Sequence, residues 1–151
     1  MFSYSPEQTF ELGRRIGSSL VGGEMLLLSG GLGAGKTLLT KGIVEALGFD
    51  VDEVNSPSFA LVNLYKTETC DVYHIDLWRL GDAADPAAEI GLHEILEDPR
   101  SIVIIEWSEH LSENALREPL IRINISGDGD DPRRIEIVGS DNLELEVLSG
   151  C

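Results

Sequence analysis

Residues 29–39, SGGLGAGKTLL, place four glycines within six positions and follow them directly with Lys36 and Thr37. Glycine weakens helices and strands alike, so a cluster this dense needs a reason. The spacing Gly30-x-x-x-x-Gly35-Lys36-Thr37 is that of a phosphate-binding loop, or P-loop. In such a loop Gly30, Gly31, Leu32, Gly33, Ala34 and Gly35 turn backbone N–H groups toward phosphate oxygens. The helix that continues through Leu38 aims its positive end at the same place. Lys36 can reach the β- and γ-phosphates, and the Thr37 hydroxyl can ligate Mg²⁺. A dinucleotide fingerprint is excluded, because it needs glycine where Lys36 stands.

A loop of this kind needs carboxylates across from the phosphates. The apolar stretch VYHID ends in Asp76 and IVIIE ends in Glu106. Acids at two strand ends can hold Mg²⁺, directly or through water, and orient an attacking water. Lys36, Asp76 and Glu106 are therefore the candidate catalytic residues, and Thr37, Asp76 and Glu106 the candidate metal ligands. The Asn-Lys-x-Asp element that reads guanine is absent, which favours ATP. His74, His93 and His110 lack metal-ligand spacing and are expected in the core or on the surface. Trp107, beside Glu106, is expected either over the site or in the core.

These residues must be positioned by a scaffold, and the hydrophobic pattern supplies one. Ser5, Pro6 and Gln8 form a helix start with a capping box. Leu12, Ile16 and Leu20 then make one apolar stripe. EMLLLSG is a buried strand feeding the glycine loop, and KTLLTKGIVEAL is a helix stopped by Gly48. SFALVNLYK and CDVYHIDL predict an antiparallel hairpin. DPAAEIGLHEIL predicts one or two short helices, capped by Asp85 and interrupted at Gly91. SIVIIEW is a second buried strand. PLIRINI, RRIEIVG and NLELEVL alternate with period two and predict a strand-rich tail, its last two members joined by the turn SDN. The order is that of a three-layer α/β domain, P-loop NTPase-like, around a mixed parallel and antiparallel central sheet.

Length and composition set the outer limits. A chain of 151 residues is expected to be one domain, 1–151. No apolar run reaches the roughly 20 residues of a membrane helix, and the N-terminus lacks a signal-peptide pattern, so a cytoplasmic location without membrane partners is expected. Two cysteines are too few for a disulfide framework or a zinc cluster. The 27 acids against 11 bases give a net charge of −16. Nucleic-acid binding depends on Lys and Arg neutralising phosphates, so this chain is a poor candidate for holding RNA by itself.

Taken together, GGLGAGKT, NSPSFALVNLY, YHIDLWRL, EIGLHEIL and IIEWSE, in this order and spacing, resemble the bacterial TsaE (YjeE) family. The match runs from about Ser5 into the 130s. The P-loop alone is generic, but the later blocks together are specific. The resemblance implies a small ATPase of tRNA threonylcarbamoyladenosine synthesis. Such an ATPase works with a TsaB–TsaD pair that handles the tRNA, after TsaC makes the threonylcarbamoyl adenylate. Hydrolysis would reset that complex rather than transfer the group. By the same resemblance Ser56, Pro57 and Ser58 form a switch segment near the γ-phosphate, and Asp76 is the Walker B acid. Glu106 and Thr37 sit at Mg²⁺. The Ser5–Thr9 stretch, with Glu7 and Thr9, and also Arg133, border the adenine. The family often has an acid where Gly31 stands, and usually Thr where Ser58 stands.

Two other readings are compatible with a P-loop. A small-molecule kinase would normally close an arginine-bearing lid on its phosphates. Residues 81–98 are acid-rich and contain no arginine. A nucleotide-gated binding module would need no water-positioning acid, and Glu106 argues against it.

Overall fold

The computed structural model describes residues 1–31, 33–54 and 61–139. The chain order is β1 (Phe2–Ser3), α1 (Pro6–Ser19), β2 (Met25–Ser29), α2 (Lys36–Ala46), β3 (Val62–Lys66), β4 (Asp71–Asp76), α3 (Pro86–Ile90), α4 (Leu92–Ile95), β5 (Ile102–Glu106), β6 (Leu120–Ser126) and β7 (Arg133–Gly139). The strands form one seven-stranded sheet of order β1-β7-β6-β2-β5-β4-β3. Its centre, β6-β2-β5-β4, is parallel. Its edges are antiparallel: β3 on β4, β7 on β6 and β1 on β7. The two innermost strands, β2 and β5, are near-continuous apolar runs because both of their faces are covered.

Alternation sorts each strand between two cores. Leu26 and Leu28 of β2, and Ile102 and Ile104 of β5, pack with Leu12, Ile16, Leu39 and Ile43 of α1 and α2. Met25, Leu27, Val103 and Ile105 point the other way, to Leu92 and the half-buried Ile90 and Ile95 of the short helices. The result is the expected three-layer, mixed-sheet, P-loop NTPase-like fold.

α1 and α2 approach backbone to backbone. A methyl group built on Gly13 would land on the Leu39 carbonyl oxygen. One on Gly17 would meet the Ile43 carbonyl, and one on Gly42 the Phe10 carbonyl. Only glycine fits such a contact.

The helix ends follow the sequence signals, with one shift. Ser5 Oγ accepts the Gln8 N–H at 3.2 Å, but the Gln8 side chain reaches back to the Tyr4 N–H, at 2.7 Å, where a capping box would place it on Ser5. Asp85 caps α3 through the Ala88 N–H at 3.2 Å. Gly91, left-handed at φ 69°, divides the predicted helical stretch in two. The hairpin of β3 and β4 is antiparallel, as expected. Strand β1 has only two residues, too few to leave a period in the sequence. The strand NLELEVL and its SDN turn lie outside the described residues. No described helix is long and apolar enough to cross a membrane.

Candidate functional site

The P-loop leaves the C-terminal end of the central strand β2 and opens α2. Gly30 has φ 146°, and a methyl group there would strike the Ile125 carbonyl oxygen of β6. Gly33 and Gly35 also have positive φ, at 76° and 112°. Among the described residues nothing lies within 4 Å of a Cβ built on Gly31. The acid common at that position in the family would therefore fit without moving the loop. α2 starts at Gly35 without a side-chain cap, so its first N–H groups are left for a ligand.

Lys36 is 6% exposed. Its ammonium donates to the Gly30 carbonyl at 2.7 Å and sits 4.5 Å from the centroid of the Trp107 ring. A buried cation needs compensation, and the carbonyl dipole and aromatic face supply it. Trp107 therefore does both things expected of it: it packs over the site and belongs to the core beneath α3 and α4. Its backbone is left-handed, φ 61°, a costly conformation for a bulky residue. Trp78, half exposed, packs against it at a tilt, with ring centroids 4.5 Å apart and planes 52° apart.

The two acids stand side by side. Register pairs Leu28 of β2 with Glu106 of β5, and Glu106 with Asp76 of β4. Parity puts both on the face covered by α1 and α2. Asp76 is 5% and Glu106 3% exposed. Asp76 Oδ1 accepts the Trp78 N–H at 2.9 Å, which orients the carboxylate at the strand end. Glu106 Oε2 lies 2.7 Å from His74 Nε2. His74 is wholly buried, and its other ring nitrogen is 3.2 Å from the Tyr65 hydroxyl. The expectation of a core histidine holds, but this one touches a candidate catalytic acid. Its partner lies 32 residues away, so only the parallel register of β4 and β5 brings them together.

A cleft of about 350 Å³ adjoins the loop, lined among others by Tyr4, Thr9, Gly35, Leu38 and Arg133. Thr9 is buried and its hydroxyl is bonded to Ser3 Oγ at 2.7 Å. Glu7 is exposed in the first turn of α1 and is not among the lining residues. Arg133 donates to the Ala34 and Gly33 carbonyls at 3.0 and 3.4 Å, and to the Gly129 and Asp131 carbonyls at 3.0 and 2.6 Å. It thus ties the P-loop to the acidic turn between β6 and β7. Spacing in the sequence carries no signal for this bridge, because Arg133 and the loop are about 100 residues apart. Leu32, Ser56, Pro57 and Ser58 lie outside the described residues.

The donors Thr37, Asp76 and Glu106 are hard oxygen groups on one face of the sheet, the chemistry Mg²⁺ prefers. Among the described residues no cluster of three or more His, Cys, Asp or Glu side chains forms a self-sufficient metal cage.

Comparison with known proteins gives a single answer. The family model described as threonylcarbamoyl adenosine biosynthesis protein TsaE matches residues 3–135. A Bacillus subtilis protein named tRNA threonylcarbamoyladenosine biosynthesis protein TsaE is 34% identical, with 91% of this chain and 84% of that protein covered. The Streptomyces coelicolor protein of the same name is 36% identical, with 93% and 99% covered. The crystal structure of Bacillus subtilis YdiB matches with a TM-score of 0.76 at 28% identity, covering 99% of this chain and 93% of that one. With its P-loop on the central strand, its acids on the neighbouring strand ends and a family match spanning nearly the whole sequence, this chain belongs to the TsaE family.

Proposed function

We propose that this chain is the Mg²⁺-dependent ATPase of tRNA threonylcarbamoyladenosine synthesis, working in the cytoplasm and hydrolysing ATP when docked on a TsaB–TsaD pair. The observation that carries the reading is the P-loop on β2, its Lys36 set against Trp107, with Asp76 and Glu106 in register at the ends of β4 and β5. The α2 N–H groups receive the phosphates. Lys36 exchanges the Gly30 carbonyl for a phosphate oxygen, trading a dipole for a full charge. Thr37, Asp76 and Glu106 are the residues that would hold Mg²⁺, which neutralises phosphate charge when bound. Glu106 also orients the attacking water. The adenine occupies the cleft beside Thr9 and Arg133. The names of the relatives support the pathway, and the charge of −16 supports an indirect relation to tRNA, through protein partners.

Phosphate release tests this reading. It should be slow with the chain alone and rise when TsaB and TsaD are added, because completing a P-loop site is worth about 10³–10⁵ in rate. Equal rates with and without the partners would remove partner activation, and phosphate passed to a small acceptor would replace hydrolysis with kinase chemistry.

A further inference from the structure

A line of hydrogen bonds crosses three strands and ends on Glu106. Asn63 Nδ2 lies 3.4 Å from the Tyr65 hydroxyl, that hydroxyl 3.2 Å from His74 Nδ1, and His74 Nε2 2.7 Å from Glu106 Oε2. Tyr65 is 3% exposed, His74 0% and Glu106 3%, so bulk water cannot substitute for any of these three; Asn63, at the outer end, is half-buried. The Nε2–H form of the ring lets these three contacts run in one direction. Asn63 donates to Tyr65, Tyr65 donates to Nδ1, and Nε2 donates to the carboxylate, which can only accept. Phe49 packs on Tyr65 with ring centroids 4.9 Å apart, and Tyr65 lies 6.0 Å from the imidazole, also ring to ring.

We infer that His74 is a positioning residue for Glu106. Held by Tyr65, its Nε2–H fixes one carboxylate oxygen and so sets the direction of the other. This rests on the role proposed for Glu106 above. A charge-assisted bond to a buried carboxylate is strong and directional, and partners of this kind commonly govern the group they orient. An ordinary core histidine would need only to have its two nitrogens satisfied. Here one of them is spent on the acid that the chemistry depends on.

The test compares His74→Phe, His74→Gln, Tyr65→Phe and Glu106→Gln in the full chain with TsaB and TsaD. It measures kcat, ATP affinity by calorimetry, and the imidazole nitrogen shifts of the ATP-free protein by NMR. His74→Phe should lower kcat about 10–100-fold while ATP affinity stays within about twofold. His74→Gln, whose amide N–H can reach the same carboxylate oxygen, should recover most of that loss. Tyr65→Phe should fall between wild type and His74→Phe. The nitrogen shifts should place a proton on Nε2. Wild-type kcat in His74→Phe overturns the inference. So does His74→Gln as impaired as His74→Phe, or a bare Nε2, a readout that needs neither hydrolysis nor the survival of the Phe variant. Glu106→Gln separates the two levels: if it turns over normally, the role of Glu106 itself fails. If it alone is impaired, only the inference about His74 fails.

Discussion

The two halves of the candidate site are built from different materials. The phosphate half is backbone: Gly30 pressed against the Ile125 carbonyl, glycines in left-handed conformations, and loop carbonyls pinned by Arg133. The acid half is side chain: Asp76 on the Trp78 N–H, and Glu106 on a histidine held by a tyrosine. Lys36 joins them, bonded to Gly30 on one side and resting on Trp107 on the other. Backbone can grip a ligand of fixed shape but cannot change its charge. Side chains can orient water. On the proposed reading, the difference is a division of labour, with binding in the loop and turnover at the strand ends.

The division can be broken or sharpened by substitution. The largest effect belongs to the shared residue. Lys36→Ala should abolish hydrolysis and weaken ATP binding by roughly 1.5–3 kcal/mol, the scale of a hydrogen bond to a charged group. Calorimetry showing unchanged ATP affinity would remove the lysine from the phosphates. Glu106→Gln should cost about 10²–10³-fold in turnover with ATP binding nearly kept, as measured by single-turnover hydrolysis beside equilibrium binding. Loss of binding equal to the loss of rate would erase the boundary between the halves. Gly30→Ala should lower stability by about 1–3 kcal/mol and reduce ATP affinity, because backbone must move away from Ile125. Denaturant unfolding with and without ATP checks both. Asp76→Asn should weaken the Mg²⁺ dependence of ATP binding several-fold, read from titrations at varied Mg²⁺. The smallest effect is that of Gly31→Asp, within about 0.5 kcal/mol in stability, since no described residue crowds the position. A large drop there would mean that the loop's charge matters as much as its shape.

How much of this could be read from the sequence follows the same division. The P-loop is contiguous, so its glycines, Lys36 and Thr37 stand together on the page. Asp76 and Glu106 were visible as acids closing apolar runs, because a buried strand must exit where polarity returns. The break at Gly91 and the cap at Asp85 were local signals too. What could not be read depends on register between distant segments. His74 offers no pattern of its own, and its meaning appears only when β4 lies beside β5. Arg133 could be placed near the loop only through family likeness, and its grip on loop carbonyls required the β6–β7 turn to fold back. Gly13, Gly17 and Gly42 carry no such signal in the sequence, since their use lies in the close approach of two helices.

Those three glycines have a consequence for how nucleotides are measured. Because carbonyls fill the space where side chains would stand, α1 cannot slide along α2 without collision. One of the paired helices carries Thr37 at its start, and the other carries Thr9 in the wall of the cleft. The pair therefore acts as a fixed ruler between the cleft and the first phosphates, cut to length before any ligand arrives. On the proposed reading, ADP and ATP lie equally well along that ruler. They differ only past its end, where Lys36, Asp76 and Glu106 stand, so the chain tells the two apart by its acids and lysine rather than by its grip.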